Sequence, residues 1–201
     1  MIAVPFTRPH PVMRRVLIVW DGIYRFVHGL DRPASEVGPA LRVTTRIVRR
    51  PWTLPDGTHV GAGDRLGAIH LNNERVSALH VDGLTPLAVG LEFRRQLVAS
   101  LHALATLAAS GQPLADVVAF EAVTIFYQGL MRLGFVAEPE GLCWPRFVAV
   151  YQRTLLASLH PAGAVRLKRR TYQEARRLWL SRSTLLQRYS GERIRRAGDD
   201  A

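Results

Sequence analysis

The sequence contains very few of the residues on which several common protein classes depend. Its single cysteine, Cys143, excludes a disulfide within the chain and a cysteine-based zinc site. Its single lysine, Lys168, is not part of a glycine-rich phosphate-binding loop, and neither a GxGxxG dinucleotide loop nor a GxSxG nucleophile elbow is present. No apolar run reaches the roughly 18 residues of a membrane-spanning helix. These absences exclude a disulfide framework and leave no motif of a nucleotide-binding loop or of a hydrolase nucleophile elbow.

The remaining composition is that of a single globular domain. Hydrophobic residues make up 48% of the 201 positions and charged residues 21%, which supplies enough apolar side chains for a core. We expect one folded domain over residues 12–190, a flexible N-terminus over 1–11 and a disordered tail over 191–201. The apolar run at 16–20 is too short for the hydrophobic region of a signal peptide, and we therefore expect a cytoplasmic protein.

Positive charge dominates the sequence and is almost entirely arginine. The formal net charge is +11, and 26 of the 27 basic residues are arginine. Residues 166–201 hold 11 of the basic residues but only 4 of the 16 acidic ones. Such a field attracts polyanions, and the planar guanidinium group suits phosphate and carboxylate ligands. A coding bias towards arginine explains the same excess without a ligand, and the composition leaves both explanations open.

The periodicity of the apolar residues predicts a single α+β domain, with a small antiparallel or mixed sheet packed against several helices. Alternation and compact apolar runs predict strands, whereas spacings of three and four predict helices. The first predicted helix also has the arginines of an interfacial membrane helix, as an alternative to a helix docked on the core. The predicted strands are 41–49, 59–60, 66–71, 76–81, 117–121, 135–138, 165–170 and 176–180, and the predicted helices are 12–30, 87–109, 122–133, 144–159 and 182–190.

The most polar stretch of these strands predicts a candidate catalytic site. Alternation places His70, Asn72 and Glu74 on one face of a strand, with Asn73 beside them. Histidine titrates near neutral pH, and amide and carboxylate groups can orient it or hold a hydroxyl-rich ligand. We therefore expect His70 to act as a general base on a hydroxyl group. The alternative is a hairpin turn at the two asparagines, beside a core histidine that has a structural hydrogen-bond partner.

Two further residues are candidates for catalysis. His160 ends a predicted helix, where the helix dipole favours the charged imidazole, and the alternative is a helix stop at the following proline. Glu121 follows an apolar strand, where partial burial predicts either a raised pKa or an arginine partner, and the alternative to catalysis is a structural ion pair. No two histidines have the i, i+4 spacing of a helical metal site, and we expect neither a metal nor a cofactor.

The basic C-terminal region can be interpreted as an anion site or as a nucleic-acid site. We predict that Arg169, Arg170, Arg177 and Arg182 bind an anionic group such as phosphate. Residues 174–190 also resemble the second half of a helix-turn-helix, with a serine-rich opening of the recognition helix but no turn glycine. We do not expect nucleic acid to be the main partner, because Trp179 lies near the position of the missing turn glycine and the preceding helix would be very short.

Five short motifs stand out along the chain: Asp56-Gly57-Thr58, Gly63-Asp64, His70-Leu71-Asn72-Asn73, His160-Pro161 and Trp179-Leu180-Ser181. Together they resemble the YkoP-like domain family of bacteria, over roughly residues 15–190. Members of this largely uncharacterised family look like stand-alone cytoplasmic proteins or domains attached to polysaccharide deacetylases, often accompanied by glycosyltransferases. The resemblance implies a role in cell-envelope glycan or glycolipid metabolism and supplies no reaction. The chain has no metal-binding motif of a deacetylase, so that activity would belong to a partner.

The sequence favours one function and leaves two alternatives open. We expect an accessory protein or small enzyme of envelope polysaccharide or glycolipid metabolism that binds an anionic, phosphate-bearing ligand, which is a small molecule or a glycolipid. The first alternative is a non-enzymatic basic module that docks on the membrane surface or on a glycosyltransferase partner. The second is DNA binding through residues 174–190. Nothing in the sequence decides whether the protein is an enzyme.

Overall fold

The computed structural model describes residues 33–72, 85–110, 113–139, 148–153 and 174–191, and these contain a mixed sheet with helices. A 3-10 turn at Pro33–Ser35 precedes the first strand, and residues 148–153 are helical. The combination confirms the predicted α+β class. The strands are β1 (Glu36–Val37), β2 (Leu41–Ile47), β3 (Trp52–Thr53), β4 (His59–Val60), β5 (Arg65–Leu71), β6 (Val117–Thr124), β7 (Val136–Ala137) and β8 (Arg176–Ser181), and the helices are α1 (Pro86–Ala109), α2 (Tyr127–Met131) and α3 (Arg182–Tyr189).

Six of the strands form one sheet in the order β1-β2-β5-β6-β8-β7. Neighbouring strands are antiparallel except β5 and β6, which are parallel. Parallel neighbours need a crossover connection, and α1 lies in that connection. Thr85 is the N-cap of this helix, and its side-chain oxygen accepts a hydrogen bond from the backbone N–H of Ala88 at 3.3 Å. Pro86 occupies the first turn, where a proline costs no helical hydrogen bond.

One face of the sheet holds the main core, because α1 and α3 pack against it. Phe120 of β6 is fully buried and lies over Gly67 of β5, where any Cβ would collide with the aromatic ring. The two helices are joined where Nδ1 of His102 lies 2.7 Å from the backbone oxygen of Tyr189, and the two rings meet edge to face. The buried side chains of this core include Leu41, Val43, Leu97, Leu101, Leu104, Phe120, Leu178, Leu180 and Leu185.

The opposite face of the sheet holds a second core under a small hairpin. Strands β3 and β4 form this hairpin, which is a separate two-stranded sheet. Trp52 of the hairpin packs on Trp179 of β8, with ring centroids 5.7 Å apart. Gly57 has a φ of 85° at the hairpin turn, a backbone conformation that favours glycine. The buried side chains of the second core are Val48, Leu54, Val60, Leu66, Ala119 and Trp179.

The structure confirms most of the predicted elements that fall on described residues and corrects one of them. The helix predicted over 122–133 is wrong, because residues 122–124 continue β6 and the helix is limited to Tyr127–Met131. Pairing of residues 122–124 with β8 overrides the helical spacing of their apolar neighbours. The predicted strands at 76–81 and 165–170 and the predicted helix at 12–30 lie outside the described residues.

The C-terminal segment 174–190 does not form a helix-turn-helix. That motif needs a helix before the turn, whereas residues 176–181 form β8 between β6 and β7. The serine-rich stretch does open a helix, because Ser181 is the N-cap of α3. Leu185 and Tyr189 of this helix are buried in the main core, so one face of α3 packs against the protein.

Candidate functional site

His70 lies near the C-terminal end of β5, an interior strand of the sheet, and Asn72 directly follows that strand. His70 is directly opposite Arg42 of β2, on the face that carries the hairpin. Asn72 is buried, and its backbone N–H donates to the carbonyl oxygen of Ala40 at 2.8 Å. Both residues therefore continue the alternating pattern predicted from the sequence, and their catalytic role stays a prediction. The other predicted members of this set, Asn73 and Glu74, and the separate candidate His160 lie outside the described residues.

Arg42 is a buried cation beside His70 that the sequence analysis did not single out. One nitrogen of its guanidinium group lies 3.4 Å from Oε1 of Glu36. Periodicity assigns Arg42 to the face opposite Leu41, and such a residue is usually solvated. Only the register of β2 against β5 brings the arginine to the histidine. The end of the sheet at this point thus has an imidazole, a guanidinium and an amide group close together.

Glu121 has the arginine partner that its position after an apolar run predicted. The guanidinium of Arg46 donates two hydrogen bonds to the carboxylate, from Nε to Oε1 at 3.0 Å and from a terminal nitrogen to Oε2 at 3.1 Å. Nε of Arg177 lies 3.9 Å from the same Oε2, and a terminal nitrogen of Arg177 lies 3.2 Å from Oε2 of Glu138. The two arginines and two glutamates form an ion-pair network that joins β2, β6, β8 and the residue after β7. Such a network is the structural alternative to a catalytic role for Glu121.

The C-terminal arginines predicted to bind anions are divided between described and undescribed parts of the chain. Arg177 contributes to the network with Glu121, and Arg182 donates to the carbonyl oxygen of Ala108 at 2.9 Å in the last turn of α1. An anion would therefore compete with partners inside the protein for both guanidinium groups. Their anion-binding role stays a prediction. Arg169 and Arg170 lie outside the described residues.

Two of the sequence motifs, far apart in the chain, meet where the hairpin turn reaches α3. Burial raises the pKa of the Asp56 carboxyl, but hydrogen bonds from the Ser181 hydroxyl and from Thr58 outweigh this and leave the pKa below its usual value. The backbone N–H of Thr58 lies 3.0 Å from Oδ1 of Asp56. Ser181 also caps α3, where its side-chain oxygen accepts a hydrogen bond from the backbone N–H of Thr184 at 3.4 Å. Asp56 thus ties the hairpin to the start of the C-terminal helix.

Replacing Asp56 by asparagine is expected to reduce stability at neutral pH and to matter less in acid. A carboxyl whose pKa is lowered by folding stabilises the protein above its unfolded-state pKa, and this contribution is lost as the pH falls through the folded-state pKa. Because the Asp56 side chain is exposed, we expect the free energies of unfolding of the native protein and the variant to differ by no more than about 1 kcal/mol. Urea unfolding of both proteins between pH 7 and pH 3 measures it, and a difference that stays constant with pH would count against the assignment.

An arginine-rich groove lies where β2 passes into β3. It has a volume of about 560 Å³ and is lined by Arg46, Ile47, Arg49, Arg50, Pro51 and Trp52; we call it the arginine groove. Arg49 and Arg50 are exposed, and neither makes an ion pair within the described ranges. By contrast, the nearby Arg65 is bound by Asp116 at 2.7 Å. The groove therefore presents positive charge that the described protein does not neutralise.

The backbone on both sides of Arg49 and Arg50 is anchored. The N–H of Val48 donates to the carbonyl oxygen of Asp64 at 2.8 Å, and the N–H of Gly63 donates to the carbonyl oxygen of Val48 at 2.9 Å. Val48 is buried in the second core, and Trp52 packs on Trp179. With both flanking residues held inward, the two arginines lie on the surface. The sequence signal for this site is the Arg-Arg-Pro-Trp stretch after an alternating strand, which the sequence analysis did not use.

The described part of the chain contains no group of three or more histidine, cysteine, aspartate or glutamate side chains that could hold a metal ion. No helix in the same residues is long and apolar enough to cross a membrane.

Comparison with known proteins assigns the family. No curated protein and no solved structure matches the chain. The model of the YkoP domain matches residues 11–189, which is nearly the whole chain and includes both the His70 region and the arginine groove. The chain therefore belongs to the YkoP domain family.

Proposed function

We propose that this protein is an accessory protein or small enzyme of bacterial envelope polysaccharide or glycolipid metabolism, and that it binds an anionic, phosphate-bearing ligand in the arginine groove. The observation that carries the ligand proposal is the pair of exposed guanidinium groups of Arg49 and Arg50, which have no ion-pair partner in the described residues. The envelope role is supported by the association with deacetylases and glycosyltransferases that the family resemblance implies.

The chemistry of the groove suits phosphate better than an isolated carboxylate. A guanidinium group forms two parallel hydrogen bonds with a phosphate, and neighbouring arginines can hold different oxygens of one phosphate or of two linked phosphates. Arg46 adds positive charge at the same place, although Glu121 binds its guanidinium. Trp52 is partly exposed and lines the same groove, so an apolar or sugar portion of the ligand can pack against it.

Calorimetric titration with inorganic pyrophosphate tests the proposal. We expect the native protein to bind it, and we expect the double variant Arg49→Gln/Arg50→Gln to bind at least about tenfold more weakly, because hydrogen bonds to charged groups contribute about 1.5–3 kcal/mol each. The matched control is Arg94→Gln/Arg132→Gln, which removes the same charge from two other exposed arginines. An equal loss of pyrophosphate affinity in both double variants would show general charge attraction and would contradict a site in the groove.

The predicted site around His70 is tested in the same titration. If the ligand binds there, His70→Ala and Asn72→Ala weaken pyrophosphate binding while Arg49→Gln/Arg50→Gln does not. If the ligand binds in the groove, Arg49→Gln/Arg50→Gln weakens pyrophosphate binding while His70→Ala and Asn72→Ala do not. Because Asn72 is buried, the unfolding free energy of each variant must be measured alongside its affinity.

A further inference from the structure

We infer that the arginine groove docks on the surface of an anionic lipid membrane and that the phosphate it binds is that of a lipid headgroup. The inference rests on the proposed function, because it identifies the source of the phosphate for the same arginines. The observation that carries it is Ile47, which lines the groove and is 57% exposed to solvent. Arg49, Arg50 and Trp52 line the groove beside it.

These four side chains are the combination expected of a protein that lies on a bilayer. Basic residues bind anionic headgroups, tryptophan is enriched at the level of the headgroups, and an exposed aliphatic side chain enters the boundary of the acyl chains. Each arginine near an anionic surface contributes about 1 kcal/mol to attachment. Ile47 ends β2 and lines the groove together with Arg49, Arg50 and Trp52, so the four residues border one open surface.

A soluble phosphate ligand explains less of this surface. It would use the guanidinium groups but would leave Ile47 in water, whereas a membrane removes apolar surface from water. Duplex nucleic acid would likewise supply phosphates but no apolar layer for Ile47. The groove is open to solvent rather than enclosed, and small-molecule sites usually bury most of their ligand. A planar, anionic surface with an apolar interior therefore fits the groove best.

Co-sedimentation of the full chain with vesicles tests the inference. We expect binding to phosphatidylcholine vesicles that contain phosphatidylglycerol and no binding to vesicles of phosphatidylcholine alone. Arg49→Gln/Arg50→Gln is expected to lower the partition coefficient about 30-fold, from about 1 kcal/mol for each arginine. Ile47→Ser is expected to lower it about tenfold, because the exposed part of the side chain no longer leaves water on binding. Arg94→Gln/Arg132→Gln serves as the control and is expected to bind like the native protein.

The outcomes separate this inference from the proposed function. Binding of pyrophosphate without binding of the anionic vesicles would overturn the membrane inference and leave the soluble-ligand proposal standing. If the protein binds neither pyrophosphate nor the anionic vesicles, both the proposed ligand site and the membrane inference are overturned. Vesicle binding that is unchanged in Ile47→Ser, or that falls equally in the control variant, would reduce the interaction to general electrostatic attraction and would also overturn the inference. Because Ile47 is exposed, its replacement is expected to leave the fold intact, and an unfolding curve checks this.

Discussion

Phe120→Ala is expected to lower the free energy of unfolding by about 3–5 kcal/mol, the usual cost of removing a buried phenylalanine ring. The ring is fully buried between the sheet and the helices that cover it, and it lies over Gly67 of the neighbouring strand. No side chain at residue 67 can fill the cavity that the ring would leave. Denaturation in urea measures the change, and a loss below about 1 kcal/mol would contradict the described core.

Gly67 provides the matched test of the same contact. A Cβ at this position would collide with the Phe120 ring, so Gly67→Ala is expected to cost about 1–3 kcal/mol through overpacking. Leucine at residue 120 makes room for the added methyl group. The double variant Gly67→Ala/Phe120→Leu should therefore lose less stability than the sum of the two single variants. Strict additivity in this double-mutant cycle would show that the two residues are not in contact.

Glu121→Gln is expected to lower the free energy of unfolding by about 2 kcal/mol. The substitution keeps the shape of the side chain but removes the negative charge between Arg46 and Arg177, leaving two guanidinium groups near each other without compensation. The Glu121 side chain is 15% exposed and that of Arg46 is 47% exposed, so we expect less than the 3–5 kcal/mol found for fully buried pairs. Chemical denaturation at low and high salt measures the loss.

The exposed pair of Arg65 and Asp116 is the matched control for this network. The Asp116 side chain is 59% exposed, so Asp116→Asn is expected to cost less than about 1 kcal/mol. A Glu121→Gln variant as stable as Asp116→Asn would contradict the structural role of the network and would restore Glu121 as a candidate for catalysis. A clear difference between the two would assign Glu121 to the fold.

Local patterns predicted the elements of this fold better than their arrangement. Alternation identified β2, a compact apolar run identified β5, and helical spacing identified α1, because each pattern depends on the burial of apolar side chains. The parallel pairing of β5 with β6 is a tertiary choice and leaves no local signal. Residues 122–124 show the same limit, since their strand conformation depends on pairing with β8.

The candidate sites show the same limit, because local patterns predict single residues better than the contacts between them. The position of His70 on a strand face could be predicted, but the approach of Arg42 could not, because it depends on cross-strand register. The interaction between Asp56 and Ser181 joins two motifs that are more than a hundred residues apart in the chain. Arg49 and Arg50 were counted among the positive charges, yet only the burial of the backbone around them shows that they lie in a groove. The density of positive charge in the sequence instead predicted that the C-terminal arginines bind the anion.

The arginine groove is the anion site that the proposed function requires. An NMR titration of the backbone and arginine side-chain N–H groups with inorganic pyrophosphate tests this claim most directly, because it locates the bound anion without relying on a variant. We expect the resonances of residues 46–52 to shift and to saturate together, while those of residues 70–72 and of Arg182 stay in place. Saturable shifts at 70–72 or at Arg182, with residues 46–52 unchanged, would contradict it.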